Sequence, residues 1–295
     1  MARWAAQPFR RSSPERLNRQ KGGLTSMTSS TSTVVEAMKH IPLRPFGRVV
    51  EAPEGAHIED VPVETLQRWT EESRVLVLRG FPFLEKEEFA DYCRRWGPVL
   101  KWDAGEVIDL VVQEKPKNYV FAAGDVPFHW DGAFAEEDIR FFFFQCLDVT
   151  PGVGGETVFS DTTAVYRDAD DETRERWAQI SMTYQTEKVV HYGGEVTERL
   201  VARHPGTGVP ILRFAEPLSP EKYKNPVFAT AHGIDGAEAD EFAGTLAERL
   251  HRPEYCYHHD WRAGDLVIAD NSALVHGRNA FTGPTKRHLQ RVQVI

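Results

Sequence analysis

The apolar residues of this chain come in short bursts, and that restricts the folds open to it. RVLVLRGF (74–81), VIDLVVQ (107–113), FFFFQCLDV (141–149), ETVFSD (156–161) and GDLVIADN (264–271) are brief, rich in branched or aromatic residues, and set among Gly, Pro and Asp/Asn turns. Runs of this length and make-up read as strands buried on one or both faces. Further short strands are expected near 181–186, 199–203 and 210–214, and in HLQRVQVI (288–295). Helical spacing is confined to 63–73, to EKEEFADYCRRWG, to a polar segment at 161–180 and to 237–250. Many short strands and few helices predict a mostly β chain with flanking helices (α+β), a barrel or sandwich and not a doubly wound sheet. GxGxxG, a phosphate loop and internal repeats are all missing, which weakens any nucleotide-binding reading.

At 295 residues the chain holds enough material for one large domain. Residues 1–40 carry seven Lys/Arg against two Glu and include the Ser/Thr-rich LTSMTSSTSTV, so they read as a disordered extension, with Met27 as a second possible start. The expected single domain is 41–295. Its net charge is −14, hidden behind −9 for the whole, and an acidic body argues against nucleic acid as a partner. The three cysteines, Cys93, Cys146 and Cys256, fit neither a disulfide framework nor zinc spacing and suggest reduced thiols in a cytoplasm. An apolar run long enough to span a bilayer is lacking.

Against this background VPFHWDGAF (126–134) is anomalous, because His129 and Asp131 interrupt a segment that wants to be buried. In a strand, residues two apart share a face, so both project together while Trp130 turns away. A buried imidazole beside a carboxylate is costly unless something satisfies it, and a divalent cation does. Two His and one carboxylate on one face of an octahedron leave three positions free, the pattern of non-haem Fe(II) oxygenases. His-x-Asp alone fits a hydrogen-bonded pair at a strand end equally well. YHHDW repeats the spacing with His258 and Asp260, but the charge around it predicts a solvated loop. The second imidazole is sought in the C-terminal region, where His276 follows the strand Leu266–Ala269 and the turn Asp270–Asn271. Arg287 and Arg291 lie four apart in the last strand, hence on one face with Leu289. Guanidinium groups aimed into a barrel cannot discharge themselves and require an anion, such as a dicarboxylate.

His129-x-Asp131, GGET with Thr157, then GD…ADN…His276 with Arg287 and Arg291 behind it, resembles the taurine dioxygenase (TauD/TfdA) family over roughly 74–295. The resemblance implies a double-stranded β-helix (jelly-roll, cupin-like) core and dependence on Fe(II), 2-oxoglutarate and O2. It implies His129, Asp131 and His276 as iron ligands, and Arg287 with the Thr157 hydroxyl as the grip on the distal carboxylate of 2-oxoglutarate. Arg291 would serve the cosubstrate or an anionic substrate. The family often has a small Ser or Thr where this chain has Trp130. HWDG, ILRFAEP, Asn225-Pro226, DLVIADN and HGRNAF are similar to the narrower PvcB-type group, which acts on isonitriles derived from aromatic amino acids. That likeness implies oxidation of an isocyano carboxylic acid by an Fe(IV)-oxo species: desaturation, with or without decarboxylation, or hydroxylation. Lys101, His191, Tyr192 and Arg213 are the candidate contacts for its carboxylate, and 101–125 and 186–200 the candidate lids. The rival readings are a hydroxylase of a free or carrier-bound amino acid, a Zn(II) hydrolase, and a metal-free binding module. Oligomeric state stays open.

Overall fold

In chain order the elements begin with β1 (Lys39–Pro42), β2 (Arg48–Glu51), helix α1 (Val63–Ser73), β3 (Val75–Arg79) and helix α2 (Lys86–Arg94). Strands β4 (Ile108–Val111), β5 (Val126–His129), β6 (Phe141–Asp148) and β7 (Thr157–Asp161) follow, then helices α3 (Thr162–Arg167) and α4 (Asp171–Trp177). Next come β8 (Ser181–Val189), β9 (Tyr192–Arg199), β10 (Val201–Arg203), β11 (Pro210–Leu212), β12 (Phe228–His232) and helix α5 (Ala237–Leu250). The chain closes with β13 (Cys256–His259), β14 (Leu266–Asp270), β15 (Leu274–Arg278) and β16 (His288–Val294). The structure, a computed structural model, describes residues 33–135, 137–189 and 192–295. Most of the expected N-terminal extension, 1–32, lies outside them. Residues 33–37 are helical and β1 starts at Lys39, so ordered structure begins ahead of the expected boundary.

Two sheets carry the architecture. The larger has the order β1-β2-β3-β14-β6-β16-β4 and the smaller β13-β7-β15-β5. They face one another, Phe142 of β6 lying parallel to Phe159 of β7 with ring centroids 6.3 Å apart. This is a double-stranded β-helix. The FFFF run sits at its centre because β6 is buried on both faces: Phe142 and Phe144 enter the layer between the sheets, while Phe141 and Phe143 pack outward under the helices. Strands β3 and β14 alternate likewise, which explains why all three read as continuous apolar runs.

Helix α1 closes the outer layer with Val63, Leu66, Trp69 and Thr70 on its buried face, and α2 does so with Phe89, Ala90, Tyr92 and Cys93. The polar segment expected to be helical at 161–180 is two short helices. Asp161 caps α3, accepting from the Thr163 and Ala164 amides, and Asp170 caps α4, accepting from Thr173. The expected lid at 186–200 is instead largely the second half of an antiparallel hairpin, β8 and β9 pairing from Ser181↔Arg199 onward, with Met182 and Tyr184 buried at alternate positions. Within 101–125, β4 pairs with β16 from Ile108 to Val111. Among the described residues, no helix is long and apolar enough to cross a membrane.

Candidate functional site

The smaller sheet places the two imidazoles. Strand β15 runs between β5 and β7, and His276 is the register partner of His129 on one side and of Phe159 on the other. His276 was expected near a turn; it is instead mid-strand, which fixes its direction. Gly277 beside it is obligatory, since a Cβ there would lie 2.4 Å from the Val126 carbonyl oxygen. Asp131 follows two residues after His129, just past the end of β5. Gly132, at φ +91°, then turns the chain under Ile139. The Asn271 side chain holds that turn from the other sheet. It accepts from the Asp131 amide at 2.9 Å and donates to the carbonyls of Asp131 and Ile139 at 2.9 and 2.8 Å.

The result is a cluster in which one donor atom from each of His129, Asp131 and His276 lies within 4.8 Å of the others. Asp131 Oδ1 stands 3.6 Å from His129 Nε2 and 3.9 Å from His276 Nε2. The His129 Nδ1–H donates to the Pro127 carbonyl at 2.9 Å, which leaves Nε2 as the lone pair facing the cluster. Burial, reinforced by His129, pushes His276 down to about 3, so it is neutral at working pH. Burial alone would raise Asp131, but the Arg291 guanidinium, backed by the contact with His129, outweighs it and holds the carboxyl well below the usual carboxylate range. Two imidazoles and one ionised carboxylate converging in this way are a donor set that fits a divalent cation. Among the described residues this is the one group of three or more such side chains with that convergence. Of the competing pair, expected in a solvated loop, His258 is on β13 and Asp260 lies just past its end; both are exposed, and His259 between them is buried between Tyr257 and Asp265.

Strand β16 supplies the cations. Leu289, Arg291 and Gln293 alternate along it and face inward, while Val292 and Val294 pack outward; Arg287, expected within this strand, lies just ahead of it on the same side. Arg291 Nη1 lies 3.3 Å from both oxygens of Asp131, and Gln293 Nε2 donates to Oδ2 at 2.6 Å. Arg287 has no carboxylate within ion-pair distance among the described residues. Its Nη2 donates to the Thr157 hydroxyl at 3.2 Å, its Nε has no partner, and the Trp261 ring lies 5.7 Å from its guanidinium carbon. Burial, with Arg278 nearby, pulls Arg287 down to about 9. A second donor, Trp261 Nε1 at 3.1 Å, meets the same Thr157 oxygen. With both lone pairs occupied, the hydroxyl proton is free to be donated to an anion. A crevice joins Thr157, Arg287, Arg278 and Arg291 to His129 and His276. Buried, cationic and short of acceptors, it can take an anion such as a carboxylate.

On the other side of His129 and Asp131 opens a cavity of about 330 Å³. Its walls include Trp102, Tyr119, Phe121, Phe128, Trp130, Phe134 and Tyr184. Phe128, Trp130 and Phe134 therefore reach the cavity, whereas Phe141–Phe144 are core. Lys101 is exposed and Arg213 half-buried, and neither lines the cavity. Tyr192 opens β9, and His191 lies outside the described residues. Of the expected lid 101–125, residues 102–104, Ile108 and 119–121 are on the wall. Four residues at the site escaped the sequence reading: Asn271, Trp261, Arg278 and Gln293. Arg278 and Gln293 had a usable signal, being two residues from His276 and Arg291 on the same strands. Arg278 donates to the carbonyls of Val120, Ala122 and Gly124, pinning the segment that roofs the cavity.

Residues 39–293 match the family model for taurine catabolism dioxygenase TauD, TfdA family. The chain belongs to the TauD/TfdA family. It is accordingly an Fe(II)- and 2-oxoglutarate-dependent oxygenase, and the rival readings as a Zn(II) hydrolase or metal-free binder fall away. Among TauD/TfdA relatives, it is 47% identical over 256 residues to 3-((Z)-2-isocyanoethenyl)-1H-indole synthase of Fischerella ambigua, covering 86% of this chain and 94% of that protein. It is 38% identical to tyrosine isonitrile desaturase of Pseudomonas aeruginosa, covering 84% and 87%. The solved structure of PvcB, described as an Fe, alpha-ketoglutarate dependent oxygenase from an isonitrile synthetic pathway, superposes with a TM-score of 0.71 at 33% identity, over 94% of this chain and 95% of that one.

Proposed function

We propose that this oxygenase acts on an isocyano carboxylic acid derived from an aromatic amino acid, the tryptophan-derived acid first, and converts it to a vinyl isonitrile. The observation that carries the proposal is the aromatic cavity opening directly onto His129 and Asp131. Its volume and ring-rich walls suit an aryl side chain, with the adjacent carbon toward the metal cluster. The named relatives support the same reading: one makes an isocyanoethenyl indole and the other desaturates a tyrosine isonitrile.

In this reading His129, Asp131 and His276 hold the iron. With 2-oxoglutarate and O2, iron supplies a two-electron oxidant that removes hydrogen from a nearby C–H bond. The remaining work is done by the chain. Arg287 and the Thr157 hydroxyl grip the distal carboxylate of 2-oxoglutarate. Arg291 keeps Asp131 ionised and neutralises a carboxylate bound beside it. The aromatic walls fix the aryl group so that one benzylic hydrogen faces the centre, and they exclude water from it. The substrate gives up two hydrogens and CO2 to leave the vinyl isonitrile. 2-Oxoglutarate and O2 take up the two hydrogens and become succinate, CO2 and water.

The test is incubation of the purified protein with Fe(II), 2-oxoglutarate, O2 and the tryptophan- and tyrosine-derived isocyano acids, read by mass spectrometry. The expected product from the indole acid has lost CO2 and two hydrogens, with one succinate formed per turnover. A product that has gained one oxygen, or succinate release that no isocyano acid stimulates, overturns the proposal.

A further inference from the structure

Asp131 divides its two oxygens between two tasks. Oδ1 faces both imidazoles, whereas Oδ2 accepts from Gln293 Nε2 at 2.6 Å. The other end of that amide is also engaged: Gln293 Oε1 accepts from the indole Nε1–H of Trp102, again at 2.6 Å. The orientation of this amide is not a free choice. An indole only donates and a carboxylate only accepts, so one amide assignment alone satisfies both neighbours. Gln293 is 2% exposed, so neither contact is replaced by bulk water when lost.

Trp102 belongs to a different part of the molecule. It lines the aromatic cavity together with Asp103 and Ala104. Trp102 and Gly105 exchange backbone hydrogen bonds, Trp102 N to Gly105 O at 3.1 Å and Gly105 N to Trp102 O at 2.9 Å, which makes their segment a tight turn. The turn is seamed to β16 just where β4 stops covering it. Strand β4 ends at the pair Ile108↔Arg291, and beyond it Val99 bridges Val294 while the Leu100 amide donates to the Gln293 carbonyl at 2.9 Å. The backbone of this cavity wall and the side chain at its tip therefore both bear on one residue, Gln293, whose other hand is on Asp131.

We propose that Gln293 is a positioning residue for the metal centre and that Trp102 acts through it. Gln293 turns the Asp131 carboxylate so that a single oxygen is offered to the cation. The indole N–H of the cavity wall holds Gln293 in that attitude. Cation affinity thus depends on a cavity-wall residue that has no contact with the cation. A charge-assisted bond to the ligand's second oxygen weighs more than the neutral bond behind it, so the two links differ in size.

Calorimetric titration of Fe(II) under anaerobic conditions, with no cosubstrate or substrate present, tests this apart from any turnover and apart from the proposed isonitrile chemistry. Gln293→Met keeps the shape of the side chain and removes both polar contacts; it is expected to weaken Fe(II) binding ~10–100-fold. Trp102→Phe keeps an aromatic ring at a half-buried surface turn and removes the indole N–H together with part of the ring; it is expected to weaken Fe(II) binding about three- to tenfold. In the double variant the Trp102 effect disappears, because its path to Asp131 has already been cut. Trp102→Phe with unchanged Fe(II) affinity overturns the proposal, as do effects that simply add in the double variant. Trp102→Phe carries the test by itself if Gln293→Met fails to fold.

Discussion

Arg287 offers a prediction in which stability and binding move in opposite directions. Its guanidinium is 5% exposed, lacks a carboxylate partner among the described residues, and sits near a second buried cation, Arg278. Burial and Arg278 bring it from the ordinary 12.5 down to about 9. Below about 9 both folded and unfolded chains carry the proton, so the folded state bears the whole penalty. At ~1.4 kcal/mol per tenfold, the ceiling on that penalty is roughly 5 kcal/mol at neutral pH. Part of it is offset by the Thr157 hydrogen bond and the contact with Trp261, both of which Arg287→Met forfeits. We therefore expect the ligand-free variant to be about 2 kcal/mol more stable than wild type, roughly 4–8 °C in melting temperature for a domain of this size. Saturating 2-oxoglutarate with Fe(II), without oxygen, reverses the ranking. At a hundredfold excess over its dissociation constant it adds about 2.7 kcal/mol to wild type and nothing comparable to the variant. Differential scanning of both proteins, with and without the two ligands, reads all four states. A ligand-free variant that melts below wild type, or one that gains as much from 2-oxoglutarate, refutes the assignment of this guanidinium as an unpaired cation waiting for a carboxylate.

His276→Ala should abolish Fe(II) binding and turnover, while replacing His258 and Asp260 together should leave Fe(II) stoichiometry unchanged; titration with metal analysis checks both. Arg278→Met removes three hydrogen bonds to carbonyls of 120–124 and should speed limited proteolysis there without altering Fe(II) stoichiometry, so cleavage at the wild-type rate counts against the clamp. His259 is held neutral, its pKa lowered by burial against the opposing pull of Asp265. Below ~6.5 the unfolded chain binds a proton that the folded chain refuses, so stability falls with pH by up to ~1.4 kcal/mol per pH unit. His259→Gln should flatten that slope in urea unfolding between pH 6.5 and 5; an unchanged slope assigns it to another group.

Much of this was readable in the sequence, for identifiable reasons. Strands β3, β6 and β14 are buried on both faces, and a two-sided strand writes itself as an unbroken apolar run. The inward row was likewise visible, since alternation alone puts Arg287, just ahead of β16, and Leu289 and Arg291 within it on one side. What stayed hidden was carried by residues with ordinary local signatures. Strand β15 reads LVHGR, too short and too polar to announce a strand, and it exists because β5 and β7 pair with it on either side. Asn271 looked like a turn former and is one, but its side chain reaches a segment 140 residues earlier in the chain. The decoy pair was set aside for its charged surroundings, but those hid a strand: His258 is exposed and His259 buried at successive positions of β13, so a His on each face appears as adjacent letters.

The row on β16 explains why one strand can serve the whole site. A strand advances about 3.3 Å per residue, so inward side chains recur roughly every 6.6 Å. Arg287 meets Thr157 at the far end of the carboxylate crevice, Arg291 meets Asp131, and Gln293 joins Asp131 to the cavity wall. In the proposed reading these are, in order along β16 and the residue just ahead of it, the cosubstrate's grip, the metal ligand's counter-charge and the link to the substrate's enclosure. Leu289 between the arginines is fully buried and keeps the two cations apart in an apolar layer. A one-residue slip of β16 against β6 would turn every one of these groups outward and bring Gln290, Val292 and Val294 into the site. The seven-residue pairing that prevents such a slip, from His288↔Asp148 to Val294↔Phe141, is thus as much a part of the active site as the side chains it aligns.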